Sequence, residues 1–530
     1  MRKWLFLVLT GLAVGGQTVA AEVGQVLNSF PTPGPCPTGL TWDGKYLWLA
    51  DRKTDTIYKL TAEGKQIGSI PSPGFWPMGL AFDGTYLWNV DLGEKKLYKV
   101  DPRDGAILAA LDAPGPSPAG IAWDGKHLWL SDNREDKVSK ISTEDGTAIV
   151  SFTAPSGESQ GLAFDGTYLW LADRSQDELY MIAPDNGYVL WVVKSPGHFP
   201  TGLAWDGAHL WCADFESDRV FRIAVDGEQY IARTNERHAQ IEYTHQVRNY
   251  GPGRLKTADV YVALPHDRDS QTIDGAAEFA PKPTGFVADR WQQRCAHFHY
   301  DNVPPASTKT LTMTLKARVY EVFYYIRPER VGSLEEVPAG IKAKYLADGT
   351  KYCLQDPLIQ SSAREAVGDE KNPYWIARKI YHWLMGKMSY ELAGGWNVAP
   401  EVLRRGNGSC SEYSFVYIAL CRAAGLPARY VGSVVVRGDD ASMDDVFHRW
   451  VEVYLPRYGW VPVDPSGGDQ DSPRAQALYF GHLANRFLIT TEGGGDSEFL
   501  GWTYNSAEGW TAEPKCKVVV ENFADWSPVK

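Results

Sequence analysis

GLTWDGKYLWLAD, residues 39–51, returns as GLAFDGTYLWNVD at 79–91, GIAWDGKHLWLSD at 120–132, GLAFDGTYLWLAD at 161–173 and GLAWDGAHLWCAD at 202–214. Its Asp-Gly steps begin at Asp43, Asp83, Asp124, Asp165 and Asp206, giving spacings of 40, 41, 41 and 41 (83−43, 124−83, 165−124, 206−165). A period near 40, built from short strands and tight turns, is the mark of propeller blades. Each unit reads as four strands. Asp-Gly turns the first hairpin, because glycine accepts a positive φ without steric cost. The third strand is Ile57–Leu60 and its equivalents, and a variable fourth strand follows a turn such as Asp104-Gly105 or Asp145-Gly146.

Two residue sets recur in every unit. Trp48, Trp88, Trp129, Trp170 and Trp211 are expected to pack between neighbouring blades. Asp51, Asp91, Asp132, Asp173 and Asp214 are expected to bond local backbone N–H groups, because a residue identical in every blade belongs to the blade's framework. Val26–Phe30 reads as a strand that completes the fifth blade and leaves no open sheet edge. The expectation is a closed five-bladed ring, with six blades as the alternative.

Beyond Gln229 the period stops. Ala239, Ile241, Tyr243, His245 and Val247 alternate with polar residues, as do Leu311, Met313, Leu315, Ala317 and Val319. That period of two marks half-buried strands, so residues 230–332 are expected to form a β-sandwich. His297 and His299 sit on one strand face at a spacing that reaches a metal, but no third ligand is picked out beside them. No metal ligand is assigned, and no cofactor motif or calcium-binding loop is read.

The chain has 530 residues and a net charge of −12, which disfavours nucleic acid as a partner. Arg2 and Lys3, the apolar run Trp4–Val14 and the small residues Val19-Ala20-Ala21 read as a signal peptide over residues 1–21. The run is too short for an ordinary membrane span. An exported protein, periplasmic or extracellular, is expected. The seven cysteines are an odd number, so at least one is unpaired or pairs between chains.

Residues 333–530 change character again. Asn372-Pro373 opens an amphipathic helix carrying Ile376, Ile380, Trp383 and Leu384. In Arg405-Gly-Asn-Gly-Ser-Cys410-Ser-Glu-Tyr-Ser a glycine loop leads into a second helix, apolar on most sides, which Gly425 and Pro427 end. A cysteine at a helix N-terminus has a physical reason to ionise, since the dipole and free N–H groups favour the thiolate. Cys421, further along the same helix, reads as a small core residue. Phe447-His448-Arg-Trp450-Val-Glu452-Val-Tyr454 alternates as a strand, and Trp460–Val463 returns beside it after a turn. Antiparallel pairing of the two brings Asp464 toward His448.

GSCSEYS around Cys410, RAAGLPARYV from Arg422, HRWVEVYLPRYGWVPVDPS from His448 and ALYFG from Ala477 closely resemble the transglutaminase-like superfamily of papain-like thiol enzymes. The resemblance covers roughly residues 334–500 and implies an α+β core. It implies Cys410 as nucleophile, His448 as base and acid, and Asp464 as the orienting carboxylate. Arg449 stands where the family usually has alanine, on the strand face opposite His448. Tyr390 and Trp396 lie where the family builds its site wall. The sandwich resembles the one preceding this core in bacterial exported members. Residues 22–229 resemble NHL-like and streptogramin-lyase-like propellers, a likeness of architecture that carries no activity. His127 and His209 only occupy the tyrosine position of the repeat, which gives no support to a lyase.

The whole is therefore a multidomain chain of propeller, sandwich and thiol core. The function expected is an exported amidase or peptidase acting on a protein or peptide through a Cys410 thioester. Hydrolysis is favoured over cross-linking because nothing marks an amine site. The propeller is expected to bind a protein or glycan. The alternative is a non-catalytic propeller-based binding protein with an inactive core.

Overall fold

The computed structural model describes residues 21–227, 229–392, 395–438 and 440–529. The signal peptide expected at residues 1–21 lies, except for Ala21, outside the described residues. Among the described residues, no helix is long and apolar enough to cross a membrane.

Five four-stranded antiparallel sheets form the propeller. Val26–Pro31 pairs with Arg219–Ile223, so the N-terminal strand closes the fifth blade and five is the blade number. In each blade the tryptophan indole donates to the carboxylate of its own hairpin aspartate, Trp48 Nε1 to Asp43 Oδ2 at 2.9 Å and Trp211 Nε1 to Asp206 Oδ2 at 2.9 Å, for example. The ring then packs against the next blade. Trp48 joins Leu80 and Leu87, and Trp88 joins Ile121 and Leu128. Trp211 joins Leu40 and Leu47 of the first blade, which shuts the ring. The second aspartate set accepts backbone N–H groups. Asp51 takes Cys36 N at 2.6 Å, Lys53 N at 3.0 Å and Thr54 N at 2.9 Å.

The sandwich differs from the expected boundaries. One sheet holds Ile231–Gly251, Gln271–Ala280 and Ser307–Tyr324, but also Lys517–Pro528 and Ser442–Asp444. The other holds Leu255–Ala263, Gly285–Ala288 and Arg294–Val303, but also Ser506–Ala512. The expected division at 332/333 thus leaves the C-terminal strands on the wrong side. Leu255–Ala263 and Ile231–Gly251 need further partners, and the C-terminal segment supplies both. The thiol core is an insertion between strands of the sandwich.

That core packs the helices Pro357–Val367, Pro373–Met385 and Ala399–Arg405 around the helix Cys410–Ala423. A four-stranded antiparallel sheet lies against it, in the order Gly459–Val463, His448–Leu455, Ala428–Val435, Phe487–Gly493.

The separate hydrophobic patterns of the sequence predict halves that fold independently. The structure joins them. One hydrophobic cluster runs from Trp170, Leu190 and Trp191 of the fourth blade through Tyr325 and Ile326 to Ile380, Tyr381 and Tyr417 of the core. Trp191 Nε1 donates to Ile326 O at 2.9 Å, and Arg327, stacked over the Trp191 ring, pairs with Asp165 at 3.1 Å. Arg474 makes a two-pronged bond to Glu178 at 2.6 and 2.8 Å, and Glu178 is buried. The outer strand of this blade, Val189–Lys194, is buried, whereas its counterparts Ile107–Asp112 and Ala148–Thr153 are mostly exposed. Its run Val-Leu-Trp-Val-Val has no alternation, which is the sequence signal for a strand covered on both faces.

Trp191→Ala should lower stability by about 3–5 kcal/mol, the range for emptying a large buried aromatic site. Propeller and core should still unfold together. Two well-separated calorimetric transitions in the wild type would contradict the shared core. Residues 230–530 expressed alone should aggregate or bind a hydrophobic dye that the full chain does not bind.

Candidate active site

Cys410 is the first residue of its helix, with Ser409 as N-cap. Its backbone N–H is one of the four that a helix leaves without an internal partner. Glu412, wholly buried, accepts Ser409 N at 3.2 Å, Asn397 N at 3.1 Å and Arg405 Nη2 at 2.8 Å. One carboxylate thereby ties the helix start to the loop before it and to the wall segment at 395–398. Gly408 is required here, since a Cβ would come within 2.8 Å of Glu412 Cβ. The sequence shows Glu412 only as the residue three positions after the N-cap in a capping pattern, Ser-x-x-Glu.

His448 opens its strand opposite Ser433, and Val451 pairs with Val463, the residue before Asp464. His448 Nε2 lies 2.6 Å from Asp464 Oδ2. Asp464 Oδ1 meanwhile accepts Gly467 N at 2.9 Å, Ser466 N at 3.1 Å and Ser466 Oγ at 2.8 Å, so the carboxylate cannot rotate away. A side chain at Gly468 would strike the Tyr381 hydroxyl, which explains the Gly-Gly after Asp-Pro-Ser. With Nε2 taken by Asp464, Nδ1 is the ring nitrogen left to act on the Cys410 thiol, whose pKa His448 pulls down. The structure therefore places His448 against Asp464 and Cys410 close enough to His448 for each to shift the other's pKa. Cys421 is fully buried elsewhere in the helix, where burial pushes its thiol far up.

The electrostatics of the chain are decided by a contest. Burial alone raises the Cys410 thiol pKa, but the proximity and charge of His448, joined by the Arg449 N–H, outweigh it and pull the thiol below its ordinary value. Burial alone lowers His448, but the Asp464 charge and hydrogen bond raise it to about 10. Burial also pushes Asp464 up, and His448, with the Gly467 N–H and the Ser466 hydroxyl, more than cancels that. These directions all favour a thiolate beside an imidazolium, with a carboxylate behind it.

Arg449, on the opposite strand face, is fully buried. Its guanidinium lies 4.4–5.2 Å from the ring centres of Tyr504, Tyr430, Trp396 and Phe415 and donates to Trp502 O. This cage connects the His448 strand to the Cys410 helix through Phe415 and to the wall through Trp396. Trp450 is buried beside His448. Glu452 pairs with Arg429 at 2.7 Å and with Arg268 of the sandwich. Tyr390 is half exposed, its ring 6.5 Å from Tyr413. A cleft of about 750 Å³ opens on the His448–Asp464 side, lined by Trp450, Arg437, Arg486 and Phe487 among others, while Cys410 is not in its lining.

Residues 360–465 match the family model described as the Transglutaminase-like superfamily. The chain thus carries a transglutaminase-like core fused to a five-bladed propeller. It is similar to an uncharacterized protein of Haemophilus influenzae, 29% identical over 163 residues, 25% of this chain and 44% of that one. It is also similar to a protein-glutamine gamma-glutamyltransferase of Pseudomonas aeruginosa, 23% identical over 217 residues, 35% of this chain and 32% of that one. The chain spans less than half the length of the curated relatives it matches. A solved structure described as a candidate cysteine protease from Cytophaga hutchinsonii shares 16% identity at a TM-score of 0.40, covering 55% of this chain and 92% of its own.

Alkylation by iodoacetamide, mapped by mass spectrometry, should fall on Cys410 at a lower pH than an ordinary thiol requires, since His448 favours the thiolate. His448→Ala removes the partner and leaves burial opposed only by the Arg449 N–H. Its labelling profile should move to higher pH, with a loss of about tenfold or more at neutral pH, because only the thiolate reacts. Asp464→Asn should move it less, and Cys421→Ala not at all. Equal labelling of wild type and His448→Ala at pH 6 would contradict the pairing.

Proposed function

We propose that this protein is a thiol enzyme that opens an amide or peptide bond through an acyl-Cys410 intermediate. The observation that carries the reading is the grouping of Cys410, at a helix N-terminus, with His448 and Asp464: His448 is hydrogen-bonded to Asp464, the thiol is pulled down by His448 and the imidazole is held up by Asp464. The transglutaminase-like match over residues 360–465 supports the same class.

In this reading the Cys410 thiolate attacks the carbonyl carbon, and the electron pair of the C=O bond moves to oxygen. The Cys410 backbone N–H faces that oxygen as one donor of the oxyanion site. The intermediate collapses, the C–N bond breaks, and the imidazolium of His448 protonates the departing amine. Neutral His448 then takes a proton from water, which attacks the thioester, and the C–S bond breaks to return the thiolate. Asp464 holds the imidazole ring and stabilises its charged form. Water completes hydrolysis, and a lysine amine in its place would complete cross-linking. Hydrolysis is the preferred outcome, because water reaches any open thioester while an amine needs a site. The substrate is a protein or peptide, met outside the cytoplasm after export, and the propeller supplies a binding surface for a protein or glycan.

Trapping tests the reading directly. A slowly turned-over peptide ester should leave an acyl group on Cys410, visible in the intact mass, and Cys410→Ala should show none. Adding a labelled primary amine separates the two outcomes, since label retained in product means transamidation and label-free acid means hydrolysis. If no acyl adduct forms while the chain still binds exported proteins through its propeller, the alternative of a non-catalytic binding protein replaces the enzyme.

A further inference from the structure

The pair His297 and His299 has no third ligand marked in the sequence, and the sandwich supplies one. Arg294–Val303 runs antiparallel to Leu255–Ala263, with His299 opposite Asp259 and His297 opposite Tyr261. Residues directly opposite share a face, and residues two apart on a strand share it too. Asp259, His297 and His299 therefore stand on one outward face. Asp259 Oδ1 is 2.7 Å from His297 Nε2 and 2.8 Å from His299 Nδ1. Among the described residues, this is the one group of three such side chains whose ligating atoms all lie within 4.8 Å of one another.

Four features set it apart from a chance surface ion pair. A single carboxylate oxygen faces two imidazole nitrogens. The second nitrogen of His299 is held 3.3 Å from Asp301 Oδ1, so both ring nitrogens face carboxylate oxygens. Protonated, the ring donates to both; neutral, it donates to Asp301 and leaves the Nδ1 lone pair available to a metal. A carboxylate behind the distal ring nitrogen is the usual support of a metal-bound histidine, because it fixes which nitrogen carries the proton. His297 is fixed as well, its ring stacked on Tyr261 with centroids 4.7 Å apart. Finally, the neighbouring strands leave the place clear. Gly285 is opposite His297 on one side, Gly509 is opposite Asp259 on the other, and neither position has another heavy atom within 4 Å of where a Cβ would be.

We propose that Asp259, His297 and His299 form a binding site for a divalent transition metal of the zinc class on the outer face of the sandwich, joining Leu255–Ala263 to Arg294–Val303. Two imidazoles and one carboxylate suit Zn²⁺ and its neighbours in softness and not Ca²⁺ or Mg²⁺, which want oxygen donors. Ligand atoms about 2.0–2.2 Å from a tetrahedral Zn²⁺ sit roughly 3.4 Å from each other. The observed separations of 2.7 and 2.8 Å must open by about 0.6–0.7 Å, within reach of side-chain torsions on an exposed face. Three protein ligands leave a fourth position facing outward for water or a ligand. The site is independent of the Cys410 chain and does not rest on the enzyme reading.

The test uses the full chain, stripped with a chelator and carrying Cys410→Ala so that the reactive thiol does not compete. Titration with Zn²⁺ by calorimetry should show a saturable site of one ion per chain, and Co²⁺ should give the visible absorption of a four-coordinate nitrogen–oxygen site. His299→Gln and Asp259→Asn keep size and hydrogen bonding but lose a ligand, and each should weaken binding at least tenfold. His198→Ala, an exposed propeller histidine, should change nothing. Zn²⁺ should also raise the melting temperature of the parent and not of His299→Gln. A Co²⁺ spectrum showing sulfur-to-metal charge transfer, or equal Zn²⁺ affinity in the parent and both ligand variants, would assign the ion to cysteines or scattered histidines and overturn the proposal. Absence of any saturable binding would leave the cluster a hydrogen-bonded ion pair and overturn it equally. A variant that fails to fold is judged by the Co²⁺ spectrum of the parent alone, where the same two outcomes apply.

Discussion

A helix with no exposed face has to be enclosed from every side, and Cys410–Ala423 is buried from Cys410 to Arg422. Much of the architecture follows from meeting that demand. Three helices cover part of it, and the sheet containing His448–Leu455 and Ala428–Val435 covers the rest. Those helices then have outer faces of their own, and Pro373–Met385 rests on the fourth propeller blade through Arg378, Tyr381 and His382. The sheet in turn packs Val434 and Leu488 into the core of the sandwich. Enclosing one helix thus draws all three units into a single packed body.

The same enclosure sets the chemistry. A cysteine this deep is driven toward the neutral thiol by desolvation, and so is an imidazole toward its neutral form. Charge is retained only because three groups are arranged in alternating sign, thiolate, imidazolium and carboxylate, each compensating the burial of the next. Asp464 can play its part because the Ser466 and Gly467 N–H groups saturate its other oxygen. Glu412 and Arg449 do comparable work on the framework. One is a buried carboxylate gathering three donors, and the other a buried guanidinium spread over four aromatic faces. Neither touches the Cys410 sulfur through its side chain, yet both hold the elements that do. Arg449, which departs from the residue usual in the family, fills a space built for it by Trp396, Phe415, Tyr430 and Tyr504.

Much was legible from the residues alone, for identifiable reasons. Repetition exposed the propeller, since five copies of one hairpin with Asp-Gly at a fixed spacing leave little freedom of interpretation. The closing strand was legible because an open edge is unfavourable. The positions of Cys410, His448 and Asp464 on a helix start, a strand start and a strand end were legible because caps, alternation and proline turns are local signals. Antiparallel pairing of two adjacent strands is nearly local too. What tertiary structure alone decided are pairings between residues far apart in the chain. Strands from 506–528 complete a sandwich begun at 231, and no local pattern announces a partner at the other end of the chain. The shared core is of the same kind. Val189–Val193 lacks alternation, which says that something covers it but not that Tyr325 and the helix at 373–385 do. Asp259 is invisible as a neighbour of His297 and His299 for the same reason, since it lies on an earlier strand and only the register brings it opposite. Periodicity determines which face of an element is buried, while the partner that buries it is chosen by the global packing, a property of the whole chain at once.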